Sequence, residues 1–383
     1  MLRTSFAAIA IASLSAFSVA AGAPTADADG AFVSEDGLKL VPLAEGLEFP
    51  WGLAELPGGD LLVTEREGRL RLIGSNGLVE APVAGLPDDI LVDRQGGLLG
   101  ILLDPDFANN RTLYLSYSKD MGETNTTAVI SAVLSDDGLA LSDVREIFTA
   151  EPRRTGFHFG CRMAFLPDGS IIVSLGDGYR YMDDSQTLDN LHGKIARIMP
   201  DGSIPADNPY VGTEHEDAIY SYGHRNVQGL VYDTDRGLLI AHEHGPKGGD
   251  ELNMIEPGLN YGWPAISYGI NYDGTILTEE TEAEGMEQPA VKWVPSIAPS
   301  GMALVETPDF ADWQGDLLIG AMNGPAGQKL VRVDLDESGA VVGTVDLLAD
   351  LQIAYRDVIS TESGIYVATA DLDGAVYRVE KAS

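Results

Sequence analysis

The sequence predicts an all-β fold, a six-bladed β-propeller of four-stranded antiparallel sheets with long functional loops on one face. Three observations predict it. One phrase recurs six times: an apolar run, a turn built on Pro, Asp or Gly, then a run rich in Leu, Ile and Val. Sustained apolar residues at i, i+3, i+4 and i+7 are absent, which removes long amphipathic helices. The phrase returns about every 45 to 70 residues, at or above the spacing of propeller blades. A lone sheet of this kind cannot bury both faces, whereas six arranged radially share one core and expose few edges. A β-sandwich is the competing all-β arrangement.

Taken in order, residues 1–23 read as a secretory signal. Arg3 gives a short positive start, Phe6 to Val19 is apolar and small, and Ala20, Ala21 and Ala23 offer cleavage sites. That run is short for a bilayer, and no later segment reaches the roughly 18 apolar residues a membrane span needs. Export to a periplasmic or extracellular space is expected, with no membrane span. Residues 24–37, "PTADADGAFVSEDG", are poor in large apolar side chains and read as a flexible lead-in. A single propeller domain is expected over 38–383. Its units begin with "WGLAELPGGDLLVTE" at Trp51 and then recur at Gly97, Arg162, Gly229, Gly301 and Arg356. Third strands follow in "GRLRLI", "KIARIMP", "KLVRVDL" and "AVYRVE". Extra length after Ser174 and after His242 predicts long loops, and long loops on a rigid scaffold tend to hold function.

Composition narrows the function classes. At 383 residues and 44% hydrophobic, the chain can bury a large core, so disorder is excluded. With 59 acidic against 24 basic side chains, its field repels phosphate backbones, and nucleic acid is not an expected partner. Cys161 is the only cysteine, which rules out an internal disulfide.

The chemistry-bearing residues gather in the long inserts. "GFHFGCRMAF" sets His158 ahead of a strand whose far end bears Asp177, and a carboxylate reaching an imidazole fixes its tautomer and raises its basicity. "SYGHRNVQGL" crowds His224, Arg225, Asn226 and Gln228 into a turn. "AHEHGPKGGDE" places His242 and His244 two apart on a strand, a weak zinc pattern without HExxH or a cysteine pair. Carbonyls near Gly245 and Pro246, with Asp250 and Glu251, suit Ca²⁺ better. Serine hydrolysis lacks a G-x-S-x-G elbow.

Together, "GLEFPWGLAELPGGDLLVTER", "RQGGLLGILLDPDFANNRTLYLSYS", "HFGCRMAFLPDGSIIVSLGD", "YGHRNVQGL", "HEHGPKGGDELNMIEPGLNYGWP", "PSIAPSGMAL" and "YRDV" resemble the soluble pyrroloquinoline quinone (PQQ) dependent aldose dehydrogenases, the glucose/sorbosone dehydrogenase group. The resemblance spans nearly the whole mature chain. It implies a six-bladed propeller that oxidises aldose sugars at C1 to lactones with PQQ and Ca²⁺. Electrons then pass to an external acceptor such as a cytochrome or quinone. It assigns His158 as general base, Asp177 as its orienting carboxylate, and Gln95 and Gln228 to the substrate. Arg225, Asn226, His244 and Arg356 fall to the cofactor, the Gly245 and Pro246 carbonyls to its Ca²⁺, and Glu251 and Tyr261 to a second Ca²⁺. A homodimer is left open.

The chain also departs from that pattern. Ala354 stands where a second arginine is common, and Asn323 where a lysine is common. Two cationic partners of a tricarboxylate cofactor are thereby missing, with Lys247, Arg180 and Lys329 as candidate substitutes. Cys161 replaces a usual glycine. Two other readings follow: a Ca²⁺-dependent propeller lactonase, and a non-catalytic relative with an eroded cofactor site.

Overall fold

The computed structural model describes residues 25–28, 30–323 and 327–382, so the signal expected at 1–23 lies outside the described residues. Six antiparallel sheets stand around a common axis. Their innermost strands are Pro50–Glu55, Leu98–Leu103, Met163–Phe165, Val227–Asp233, Pro299–Leu304 and Tyr355–Thr361. Each touches the next, and the last touches the first, which closes a six-bladed propeller. The four third strands expected from sequence appear as Arg69–Gly74, Lys194–Ile198, Lys329–Leu335 and Gly374–Lys381.

Six apolar clusters each join two consecutive blades, which is why the strands read as apolar runs rather than alternating patterns. In the first blade Leu61 and Val63 pack toward the sixth, while Leu62, pointing the other way, packs toward the second. Both faces of a strand are buried, so both must be apolar.

The sixth blade corrects two expectations. It has five strands, not four, because Leu38–Leu47 pairs with Gly374–Lys381 and Phe32–Val33 pairs with Leu38–Leu47. The supposed lead-in therefore contributes an edge strand, anchored by Phe32 edge-on to Tyr377 at 5.9 Å. Joining the two chain ends in one sheet seals the ring without leaving a gap. Among the described residues no helix is long and apolar enough to cross a membrane.

The hairpin geometry puts the site on one face. In every blade the start of the inner strand pairs with the end of the second strand, as in Pro50 with Glu65 and Tyr355 with Thr369. Loops entering inner strands and loops leaving second strands thus open at the same end of the axis.

Candidate active site

His158 lies in the loop entering the third inner strand, with φ 54°, in the left-handed region. Arg153, itself buried, pins that backbone by donating from its guanidinium to the His158 carbonyl at 3.2 Å and to the Gly176 carbonyl at 2.6 Å. Position 176 must be glycine, since a Cβ there would lie 2.0 Å from the His158 carbonyl oxygen. This close approach brings His158 Nδ1 to 2.6 Å from Asp177 Oδ1, at the end of the second strand. Trp263 Nε1 donates to Asp177 Oδ2 at 2.9 Å, and the Tyr179 amide donates to Oδ1 at 2.7 Å.

Burial would raise the Asp177 carboxyl, but the His158 hydrogen bond and nearby Arg225 hold it below the usual range. Burial, and after it nearby Arg225, push the His158 imidazole down against the opposing pull of Asp177, to about 4 in all. At neutral pH the pair is therefore an ionised carboxylate accepting from a neutral imidazole. Nδ1 bears the proton, which leaves the Nε2 lone pair free for a substrate.

Several of the other predicted residues lie around one cavity next to His158, and the rest border hollows that share His244 with it. Gln95 Oε1 accepts from the His158 amide at 2.8 Å. Arg225 donates to the His244 carbonyl at 3.2 Å and lies 5.2 Å from the Trp263 ring. Asn226 Oδ1 accepts from the Gly160 amide at 3.2 Å. His244 Nε2 meets the Pro299 carbonyl at 2.7 Å. Gln95, Asn226, Gln228, His244 and Arg356 all line one central cavity, floored by Trp51, Leu99 and Phe159. His244 also borders an adjoining hollow with Gly245, Pro246 and Asn323.

Some expectations change on inspection of the side chains. Gln228, expected at the substrate, has its amide committed: Oε1 accepts from Arg356 at 2.9 Å, and Nε2 donates toward Gly160, Asn226 and Val227 oxygens. It acts on the cavity through Arg356. Asp250, suggested as a Ca²⁺ ligand, spends both oxygens on the amides of Gly245, Ile297 and Ala298 and the Ser296 hydroxyl. These bonds knot the loop that carries Gly245. Glu251 and Tyr261 do share a small recess beside Arg225 and Glu243. There burial and neighbouring Glu243 push the Glu251 carboxyl up to about 8, while the Tyr261 hydroxyl donates to the Met254 carbonyl at 2.7 Å. His242 is fully buried with neither ring nitrogen partnered, and no group of three or more His, Cys, Asp or Glu among the described residues is arranged around a metal, so the zinc pattern is not formed. Cys161, with φ 76°, turns its sulfur into the wall near Phe159 and Thr127, and burial pushes its thiol up to about 12.

A family model described as glucose/sorbosone dehydrogenase matches residues 47–378. The chain belongs to the glucose/sorbosone dehydrogenase family. Among relatives of this family, the aldose sugar dehydrogenase YliI of Escherichia coli is 39% identical over 345 residues, covering 88% of this chain and 91% of that protein. A crystal structure of glucose dehydrogenase superposes with a TM-score of 0.85 at 41% identity, over 90% of this chain and 99% of that one. The PQQ-bound form of aldose sugar dehydrogenase from Streptomyces coelicolor superposes at 0.76 with 29% identity, over 94% of this chain and 99% of that one.

The cavity of this family member suits a flat anion. Arg162 and Arg356 each lie 4.1 Å from the Trp51 ring centroid. Arg162 is neutralised by Asp357 at 2.9 Å, but among the described residues buried Arg356 has no carboxylate at ion-pair distance and its Nη1 has no hydrogen-bond partner. An unpaired buried cation is costly unless a ligand completes it. In a chain of net charge −35, cations left over beside aromatic walls mark a place for carboxylates.

Proposed function

We propose that this protein is an exported aldose dehydrogenase that oxidises sugars at C1 to lactones with PQQ and Ca²⁺, delivering electrons to a cytochrome or quinone. The observation that supports this most is the neutral, Asp177-bound His158 beside a cavity containing uncompensated arginine. When bound, PQQ supplies a two-electron acceptor and Ca²⁺ a Lewis acid. Arg356 would hold a cofactor carboxylate, Arg225 and Asn226 the quinone oxygens, and the Gly245 and Pro246 carbonyls the cation.

The chain's own part is to position and deprotonate. Gln95 uses its Oε1 to fix the His158 backbone, so its amide nitrogen is left for a sugar hydroxyl. His158 Nε2 accepts the C1 hydroxyl proton as the C1 hydrogen departs with its electron pair. Asp177 keeps Nδ1 protonated beforehand and stabilises the imidazolium afterwards. Trp51, Leu99 and Phe159 exclude water from one side.

The test is reconstitution with PQQ and Ca²⁺ followed by absorbance with and without aldose. Wild type should lose its quinone band on sugar addition, and His158→Ala should bind PQQ but keep the band. Lactone hydrolysis with acid release and no redox acceptor would replace this reading with the hydrolase one, and failure to take up PQQ at millimolar Ca²⁺ with the non-catalytic one.

A further inference from the structure

The missing cation at Ala354 leaves the cavity short of positive charge, yet the structure supplies one that the sequence pattern did not single out. Lys329 is tied to Asp346 at 2.7 Å in the fifth blade, Lys247 borders only the adjoining hollow, and Arg180 lines neither. Arg66, directly after the second strand of the first blade, does line the central cavity, together with Phe49, Arg356 and Ala370. The Ala370 amide donates to the Ala354 carbonyl at 2.9 Å, so position 354 adjoins the end of the cavity where Ala370 sits.

Arg66 is held there by design of the backbone. Its amide donates to the Phe49 carbonyl at 3.0 Å, and its guanidinium lies 4.0 Å from the Phe49 ring centroid. Gly97 presses against its stem: a Cβ at 97 would lie 1.8 Å from the Arg66 carbonyl oxygen and 2.9 Å from its Cγ. The guanidinium is poorly satisfied in return. Among the described residues its Nε is buried without a partner and its sole ion pair is Glu67 at a long 3.5 Å. Arg356, the other cavity guanidinium, is likewise short of a partner, and Arg66 is one of the like charges it feels. Two arginines fixed near each other with open donors repel unless an anion lies between them.

We infer that Arg66 and Arg356 together form a two-armed clamp for the carboxylates of the cofactor, Arg66 supplying the charge that position 354 lacks. This rests on the PQQ reading above and adds a residue to it.

Equilibrium titration of the full-length protein with PQQ at saturating Ca²⁺, followed by quenching of tryptophan fluorescence, tests it without any turnover. Arg66→Gln should weaken PQQ binding about 10- to 100-fold, the range for one charge-assisted contact. Arg66→Lys keeps the charge but not the planar fork and should lose less. The gap between wild type and Arg66→Gln should narrow as salt rises toward 1 M, where charge interactions are screened. Should Arg66→Gln not fold, the Arg66→Lys titration and the salt dependence of wild type stand in for it, with weaker binding and a marked loss with salt expected. Wild type that binds tightly while Arg66→Gln binds within about threefold overturns this inference alone. Wild type that takes up no PQQ overturns the inference and the functional reading together.

Discussion

The two sides of the central cavity are built on different principles. On the side of the third and fourth blades, Asp177 receives hydrogen bonds from His158, Trp263 and Tyr179, Arg153 locks the His158 backbone, and Gln95 holds it from the loop entering the second blade. On the side of the first and sixth blades, Arg66 and Arg356 each keep a buried nitrogen without a partner among the described residues. The first side is complete without ligand, as the proposed proton-transfer pair must be if it is not to reorganise during the reaction. The second is incomplete and gains by binding. Chemistry and affinity are thus assigned to different walls, and substitutions should separate them.

The sharpest way to break that division is at the base. His158→Ala removes the proposed proton acceptor, so sugar-dependent dye reduction should fall by about 10² to 10⁴-fold while PQQ affinity changes little. Asp177→Asn keeps the size but offers an amide that no longer stabilises an imidazolium. Turnover should drop by about 10²-fold or more in kcat, with KM for the sugar less affected.

On the other wall, Arg356→Gln should cost about 10- to 100-fold in PQQ affinity. Turnover at saturating PQQ should stay within about tenfold of wild type, since Arg356 does not contact His158 or Asp177. Equal loss of affinity and turnover in one variant would merge the two walls.

The smallest effect is a matter of pH. The folded His158 is depressed to about 4 from an ordinary 6.5, so above about 4 the base is unprotonated and ready. The acid limb of kcat/KM should lie near 4 rather than near 6.5. Between those values the unfolded chain binds the extra proton, so this group makes stability rise with pH across that window. An acid limb near 6.5 would mean that Arg225 and burial do not act on the imidazole as the geometry implies.

The fold was legible because each blade buries both faces, which turned strands into apolar runs punctuated by Pro, Asp and Gly turns. The five-stranded closure was not, because Phe32–Val33 is short and its flanks are polar; only pairing with a strand that itself pairs with the C-terminus reveals it. His158, Asp177, Arg225 and Arg356 were legible through resemblance; Arg356 lines the central cavity, and the His158–Asp177 pair sits next to it, joined through Gln95. Arg66, Arg153 and Trp263 were not, since their roles arise from contacts between loops of different hairpins. Arg153 acts on a carbonyl, and carbonyls leave no mark in a sequence. Gln228 shows the converse: the resemblance assigns it to the substrate, but its Oε1 accepts from Arg356, 128 residues away.

The most direct measurement is a single-turnover experiment on His158→Ala and Arg356→Gln, recording PQQ affinity and the rate at which aldose bleaches the bound quinone in the same samples. A crossed result is expected: His158→Ala binds like wild type and bleaches at least about 10²-fold more slowly, while Arg356→Gln binds weakly and, once saturated, bleaches within about tenfold of wild type. Parallel losses of both quantities in both variants would contradict the division of the cavity into a wall that binds and a wall that reacts.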